Sequence, residues 1–512
     1  MSGGAQGEGD PRSGAVEDDL PEQLRVRREK YERLRAAGTE PYLLGYPRTT
    51  TAAALHEQYA DLPADTSTGT TVGVTGRVMF KRDTGKLCFA TLRDGPGDIQ
   101  VMLSLDRVGG EQLAAWKADV DLGDHVGVTG EVITSRRGEL SVLADAYAIT
   151  AKALRPPPTQ HRPLSEESRV RQRYVDLWVR PEARKQALDR VAVVRAVRET
   201  LHARGFLEIE TPMLQTVHGG ANARPYTTHM NAFDLDLYLR IAPELWLKRA
   251  IVGGLERVFE INRNFRNEGV DATHSPEFAM LEAYESYGDY DTMAALTRDL
   301  VLAAAVAANG STVVPRPDGG TVDLGEPWET VTIHEAVARA VGRPVTPDTG
   351  EADLRALAAE HGVDVDAART RGDVLLALFD KLVEHTLQAP TFVRDYPVEV
   401  RPLTRAHRDD PRLTEAWDLV VFGLELATAY SELVDPVEER ARLTEQSLRA
   451  ARGDAEAMQL DEDFLQALEV GMPPTGGMGM GIDRLLMVVT GATTLRETIL
   501  FPLTKPDRGG SP

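Results

Sequence analysis

Apolar and polar positions alternate with period two over one compact stretch of the chain. Between Thr71 and Thr150, five runs rich in β-branched and aromatic residues are separated by Gly and Asp: Val72–Phe80, Lys86–Arg93, Asp98–Leu103, His125–Ile133 and Leu140–Ile149. Helical spacing enters this stretch once, near Glu111–Lys117. Further on the period lengthens. Leu188, Val191, Val194, Val197 and Leu201 place an apolar stripe on a helix that opens at Pro181 and stops at Gly205. His334–Val341, Asp353–His361 and Gly372–His385 also read as helices.

Five strands in about 80 residues, with a helix between the third and fourth, match a five-stranded OB-fold barrel. Such barrels often stack single-stranded bases on aromatics, and Phe80 and Phe89 are available for that or for the core. The expected organisation is an acidic tail over 1–20, a basic helix and connector over 21–65, the barrel over 66–152 and a stiff Pro-rich linker over 153–163. A second domain covers 164–506, with a mostly helical insertion near 330–390, and 507–512 is a tail. The second domain lacks the βαβ rhythm of a parallel doubly wound sheet, so the chain reads as α+β.

Charge changes this picture only once it is located. The formal net charge is −21, which by itself argues against a nucleic-acid partner. Residues 21–35, however, hold six basic against three acidic side chains, and residues 434–470 hold ten acidic against four basic. A local phosphate-contacting arm on an acidic body is therefore allowed. Only 9 of the 58 basic residues are Lys, a bias that codon usage explains without a functional demand for guanidinium groups. The single Cys88 excludes an internal disulfide and multi-cysteine metal sites. With no run of 18 apolar residues and no secretory apolar core, the expectation is a cytoplasmic protein.

Three clusters carry candidate chemistry. Gly205-Phe-Leu-Glu-Ile-Glu-Thr-Pro-Met-Leu214 reads as a structural strand ended by Pro212. Arg257–Phe265 and a second run with Phe278, Met280, Glu282 and Tyr284 at period two predict an antiparallel hairpin with a loop of about ten residues. One face offers Arg266 as a planar fork for phosphate or carboxylate, with Glu268 and Glu282 as acceptors for an amine. Gly477, Gly479 and Gly481 alternate, which rules out a dinucleotide or P-loop fingerprint; they let another group approach a strand closely, and Arg484 opens the next helix.

Together these clusters resemble the three signature motifs of class II aminoacyl-tRNA synthetases: the unit ending in Pro212, Phe265-Arg-Asn-Glu268, and Gly-Met-Gly-Met-Gly-Ile-Asp-Arg484. The N-terminal barrel narrows the resemblance to the lysyl, aspartyl and asparaginyl subgroup. The bacterial lysyl type, in an actinobacterial-like branch, is indicated by His218-Gly-Gly-Ala-Asn-Ala-Arg-Pro225, Arg240-Ile-Ala-Pro-Glu-Leu-Trp-Leu-Lys-Arg249, Asn262-Arg-Asn-Phe-Arg-Asn-Glu-Gly269 and Ala429-Tyr-Ser-Glu-Leu433. The resemblance spans residues 22–506 and implies a catalytic domain built on an antiparallel sheet flanked by helices.

It further implies formation of lysyl-adenylate from lysine and ATP with Mg²⁺, then transfer to tRNA(Lys), in a homodimer joined through the Pro181–Leu214 unit. Arg266 and Arg484 would be the catalytic cations. ATP would meet Arg266, Glu268, His274, Phe278, Glu425 and Arg484, and Asp418 with Glu425 would hold the metal through a hairpin turning near Gly423. Lysine would meet Gly220, Glu244, Arg266, Glu282, Tyr284, Thr428 and Glu432. Arg77, Phe89, Gln100 and Glu131 would read the anticodon, and the basic helix would grip tRNA. The sequence departs from the family at Thr428 and Val434, where Asn is usual, at Asp418, where Glu is usual, and at Arg401, where Ser is usual. Two other readings stay open: a lysine-activating paralogue serving a lipid or antibiotic pathway, and an inactive OB-fold RNA-binding protein.

Overall fold

The computed structural model describes residues 22–95, 97–158, 163–366, 369–401, 404–451 and 458–506. The expected tails at 1–20 and 507–512 lie outside these, as do residues 159–162 of the expected linker. The chain divides into two units, 1–164 and 165–512, each with its own core.

In the first unit, β1 (Ser67–Asp83), β2 (Leu87–Arg93), β3 (Asp98–Ser104), β4 (His125–Thr134) and β5 (Leu140–Ala151) close into a barrel of order β1-β2-β3-β5-β4. Alternation is strict in β2 and β3, whose inward residues Cys88, Ala90, Leu92, Ile99, Val101 and Leu103 are buried. The helix between β3 and β4 runs over Leu105–Asp119 and is longer than its periodicity suggests. Gly109, at φ 80°, breaks its backbone, so regular spacing begins only after it.

The basic helix spans Glu22–Ala36. It is not merely a solvated face: Arg27 is buried and donates to the carbonyls of Ala153 (2.7 Å) and Leu122 (2.9 Å), and Lys30 pairs with Asp121 at 2.6 Å. Arg33 pairs with Asp119. Arg27, Lys30 and Arg33 thus anchor it, Arg33 with its side chain still 55% exposed, and Arg25, Arg28 and Arg35 are exposed as well.

In the second unit a small sheet of β7 (Leu214–Gln215), β8 (Thr227–Met230) and β9 (Leu235–Leu239) follows the edge strand β6 (Leu207–Glu208). The predicted hairpin is β10 (Arg257–Phe265) with β11 (Glu277–Ser286), pairing Asn264 with Phe278 and Glu260 with Glu282. A two-stranded ribbon, β12 (Val313–Pro315) with β13 (Thr321–Asp323), precedes β14 (Glu329–Thr332), β15 (Thr391–Arg394), β16 (Ala416–Val421), β17 (Leu424–Ser431) and β18 (Thr475–Gly481). The main sheet has the order β14-β15-β16-β17-β18-β11-β10-β6. It is antiparallel except at its edges, where β14 joins β15 and β6 joins β10 in parallel. The segment between β14 and β15 carries three helices, Ile333–Val341, Glu351–Glu360 and Arg371–Leu382.

One face of the sheet packs on the helices Pro181–Ala203, Tyr290–Asn309 and Ile482–Thr490, burying Leu281, Ala283, Ala429, Met478 and Met480 among Val197, Leu201, Leu300 and Leu485. The stripe expected on Pro181–Ala203 divides here. Val193, Val197 and Leu201 are buried, whereas Leu188 and Val191 are 58% and 56% exposed. Steps of three residues drift off one face of a 3.6-residue helix, so the apolar positions serve two faces.

Candidate active site

The other face of the sheet floors a cavity of about 750 Å³. Its lining holds Gly220, Glu244, Arg266, Glu268, His274, Phe278, Glu282, Tyr284, Glu425, Thr428, Glu432 and Arg484, brought from segments more than 200 residues apart in sequence. Asp418 is missing from the lining: it lies buried behind Arg401, which takes its carboxylate in an ion pair. A groove of similar volume, about 760 Å³, lies elsewhere in this unit, against Arg190, Val194, Arg198, Glu208 and Met213. It contains none of the expected substrate residues.

The alternating glycines work by absence of side chain. A Cβ on Gly477 would sit 2.0 Å from Glu432 Oε1 and 2.6 Å from the Tyr284 ring, and one on Gly479 would sit 2.7 Å from Met280 Cε. The bare β18 backbone is therefore what admits the Glu432 carboxylate. Gly220, at φ +85°, lies against Glu244, whose Cβ would be 3.0 Å from an added Cβ.

The acidic end of the cavity is buried. Glu282 and Glu432 are buried, and the Tyr284 hydroxyl donates to Glu282 Oε2 at 3.2 Å. Burial, reinforced by Glu244, pushes the Glu282 carboxyl well above its usual range and holds Glu432 up to about 7 against the pull of Lys248. Burial, with the neighbouring carboxylates, also lifts the Tyr284 phenol far above its ordinary range, so it remains a donor. Lys248, from the helix Glu244–Val252, was not among the expected site residues. It is 1% exposed and its Nζ lies 2.6 Å from both Glu244 Oε1 and Glu432 Oε2. Its spacing of four residues from Glu244 on one helix was the available signal.

The cationic end is built on the loop between β10 and β11. The Arg266 guanidinium lies 5.1 Å from the centre of the Phe278 ring, and among the described residues its buried Nε has no partner. Asp271, which accepts from the Thr273 N–H and holds the His274 ring at 2.9 Å, shapes the loop that carries His274. Glu268 accepts from the Arg224 N–H at 3.4 Å. Arg484 Nη1 donates to the Glu425 carbonyl at 2.7 Å. Beneath them Asp483 accepts from the Ala279 N–H (2.8 Å) and from Arg190 (2.5 Å), tying the three motif segments together.

The hairpin expected near Gly423 is present, with Phe422 (φ 56°) and Gly423 (φ 71°) forming a two-residue turn between Val421 and Leu424. Asp418 pairs with Thr428, but Glu425 pairs with Val420, because Leu426 is an extra residue in β17. This bulge returns Glu425 to the face shared by Asp418 and Thr428, a register the seven-residue spacing could not supply. Asp380 and Glu384, also missed, approach the same carboxylates. Burial and then Asp418 raise Asp380 to about 6, and burial and then Asp380 raise Glu384. Three of the four sequence departures are neighbours in space: Arg401 pairs with Asp418 and lies over the rings of Tyr396 (4.7 Å) and Tyr430 (5.9 Å), while the Thr428 hydroxyl meets the Tyr430 hydroxyl at 2.9 Å. Val434 packs apart from them, in the cluster around Leu443 and Phe464. Among the described residues no three carboxylate, imidazole or thiol groups form a metal cage.

On the barrel, Phe89, Met102, Leu143 and Glu131 form one outward-facing row through the pairs Phe89–Met102, Met102–Leu143 and Leu143–Glu131. Gln100 lies next to it and donates to Ser141 at 2.8 Å. Glu131 is held by the Gly69 N–H at 2.9 Å and by Ser67. Arg77 does not join this group: it pairs with Arg93 and His125 and donates to the Gly123 carbonyl at 2.9 Å. Arg82 stands opposite Phe89 instead. A bulge at Met79 separates the two positions, and no sequence pattern announced it.

The family described as tRNA synthetases class II (D, K and N) matches residues 165–505, and an OB-fold nucleic acid binding domain matches residues 72–150. The lysine–tRNA ligase of Kineococcus radiotolerans is 59% identical over 491 residues, covering 96% of this chain and 98% of that protein. That of Mycobacterium tuberculosis strain H37Ra is 57% identical over 496 residues, again covering 96% and 98%. The lysylphosphatidylglycerol biosynthesis bifunctional protein LysX of Nocardia farcinica is 53% identical over 491 residues, covering 95% of this chain but 43% of that protein.

Proposed function

The chain belongs to the class II tRNA synthetases of the D, K and N group and, within it, to the lysine–tRNA ligases, and on that premise we propose that the cavity described above is where lysine is activated and handed to tRNA(Lys). The observation that carries this assignment is the polarity of the cavity. Buried carboxylates and a phenol close one end, and Arg266 and Arg484 stand at the other. A molecule with two ammonium groups fits the first end; the triphosphate fits the second.

In this reading Glu244 with Gly220 receives the α-ammonium of lysine, and Glu432 with Tyr284 and Glu282 receives the ε-ammonium. The lysine carboxylate is itself the nucleophile. One of its oxygens bonds to the α-phosphorus of ATP while the bond to the pyrophosphate oxygen breaks, and no protein nucleophile is needed. Arg266 contacts the reacting α-phosphate and the lysine carboxylate, and its unpartnered Nε–H supplies a donor that becomes most valuable as charge builds on the phosphate oxygens. Phe278 offers the adenine a face, Glu268 accepts from its amino group, and His274 and Arg484 hold the distal phosphates. A ribose hydroxyl at the 3′ end of tRNA then attacks the adenylate carbonyl and AMP leaves.

Asp418 and Glu425 are the carboxylates we assign to Mg²⁺. The fit rests on their hard oxygens and on Asp418 Oδ1, which is buried without a partner among the described residues, while Arg401 holds the other oxygen. Bound there with the phosphates, Mg²⁺ would neutralise charge on the departing pyrophosphate. Thr428 takes the place by the lysine carboxylate, with its hydroxyl already engaged by Tyr430.

Lysine-dependent exchange of labelled pyrophosphate into ATP, together with charging of tRNA(Lys), tests the assignment; ornithine, aspartate and asparagine serve as controls. No exchange with lysine would overturn it. Robust exchange with negligible charging would favour a paralogue that lysylates another acceptor, a reading that the LysX similarity keeps in view. Among the described residues no helix is long and apolar enough to cross a membrane.

For tRNA we assign the outer row of Phe89, Gln100 and Glu131, with Arg82 in place of Arg77, to the anticodon, and the exposed arginines of the Glu22–Ala36 helix to phosphates. Phe89→Ala is expected to raise the KM for tRNA by roughly 10- to 100-fold, the worth of one base–aromatic stack, and to leave pyrophosphate exchange unchanged. An unaltered KM for tRNA would remove Phe89 from the interface. We also propose a homodimer, formed where Leu188, Val191, Met213 and Leu214 leave an exposed apolar surface on the Pro181–Leu214 unit. Sedimentation of a fully active monomer would refute it. A tRNA-charging role places the protein in the cytoplasm.

A further inference from the structure

We propose that Lys248 is a positioning residue that sets which diamine length the pocket accepts, by gripping the inner oxygens of Glu244 and Glu432 and presenting their outer oxygens to the two ammonium groups of the substrate. This rests on the assignment of the acidic end of the cavity to lysine.

The geometry is specific. One ammonium nitrogen lies 2.6 Å from Glu244 Oε1 and 2.6 Å from Glu432 Oε2, so these two oxygens lie within twice that distance of each other. The remaining oxygens turn toward the glycines of the cavity wall. Glu244 Oε2 would be 3.7 Å from a Cβ on Gly220, and Glu432 Oε1 would be 2.0 Å from one on Gly477. Lys248 does not line the cavity; it is 1% exposed beneath it. It therefore cannot be displaced by substrate without leaving a buried, unpaired ammonium.

The charges explain why such a bridge is needed. Glu244, Glu432 and Glu439 converge on Lys248, and Glu439, on the helix Pro436–Ala451, is buried with Oε2 unpartnered. Without the ammonium, the carboxylates would repel across a site of low polarity. Each would then turn to whatever donor is near, and their spacing would no longer be defined. With it, the two outer oxygens keep a constant separation, and a substrate one methylene shorter cannot reach both. A hydrogen-bonding site with unmet partners discriminates more strongly than an apolar pocket does against one methylene.

The test uses the full chain carrying Lys248→Met or Lys248→Arg, with pyrophosphate exchange measured against lysine, ornithine and ATP and with thermal unfolding alongside. In Lys248→Met, the KM for lysine is expected to rise at least 30-fold while the KM for ATP stays within threefold, and the preference for lysine over ornithine is expected to fall at least tenfold. Lys248→Arg, which retains the charge on a differently shaped head, should recover part of the affinity but not the full discrimination. A merely structural Lys248 would instead lower the melting temperature and the active fraction, reducing kcat equally with both amino acids at unchanged KM, and that result overturns the proposal. If Lys248→Met does not fold, Lys248→Arg decides: an unmoved lysine KM and an unmoved ornithine ratio refute it. A wild-type protein inert toward lysine would bring down the lysine assignment itself, whereas active wild type with unmoved variants brings down only the role of Lys248.

Discussion

Arg266→Ala is expected to lower kcat/KM for lysine-dependent pyrophosphate exchange by roughly 10³-fold, about 4 kcal/mol of transition-state stabilisation. On the assignment proposed above, one guanidinium would serve two developing interactions, with the α-phosphate oxygens and with the attacking carboxylate. Its removal leaves Arg484 tied to the Glu425 carbonyl at 2.7 Å and Arg401 engaged by Asp418. The loss should fall mainly on kcat, because charge on the phosphate grows only as pyrophosphate departs. Folding should be little affected: Arg266 is held by contact with the Phe278 ring rather than by a buried ion pair, and its Nε has no partner to orphan. Arg266→Lys keeps the charge but loses the planar fork, and should recover about tenfold. A decrease of less than tenfold in Arg266→Ala would place the reacting phosphate elsewhere in the cavity.

Glu432→Gln is expected to raise the KM for lysine by roughly 10²–10³-fold, about 3–4 kcal/mol, while leaving the KM for ATP within a few-fold. An ammonium brought to this buried end of the cavity would lose the charge of its main partner. The pH dependence supplies a second readout. Burial, then the neighbouring Glu244, holds the Glu432 carboxyl up to about 7, with Lys248 opposing. Below that pH the carboxyl is protonated in the empty pocket, and a proton must leave before lysine can bind as a dication. The affinity for lysine should therefore be full above pH 7 and fall by about tenfold per unit below it, with no matching change for ATP. Glu432→Gln should flatten the dependence. Equal losses for lysine and ATP, or an unchanged pH profile, would refute the pocket assignment.

How much of this was legible in the chain differs from residue to residue. Period two in β2 and β3 announced the barrel because each strand has one wet and one dry face, and the barrel formed with the expected strands. Phe278, Glu282 and Tyr284 were legible for the same reason: they occupy one face of a single strand, so local geometry places them together. The alternating glycines were read correctly as sites of close approach, but what approaches, the carboxylate of Glu432, comes from a different strand pairing. Leu188 and Val191 belong to the expected apolar stripe and yet are exposed, because periodicity reports that a face is apolar and says nothing about what covers it. The bulge at Met79 shifts every later residue of β1 relative to β2, which puts Arg82 rather than the expected Arg77 opposite Phe89.

The sequence alone, then, determined the elements, the order of the three motif segments and most of the residue types that line the cavity, because these depend on periodicities and spacings within single strands, helices and turns. Only the tertiary structure decided the pairings between distant segments. It closed Arg401 over Asp418, used the extra residue at Leu426 to turn Glu425 back onto the face of Asp418, and set Lys248 between Glu244 and Glu432. Those outcomes rest on strand register, on bulges of one residue and on the cost of burying a charge without a partner. Each is settled by which surfaces come together on folding, and no local pattern along the chain contains that information.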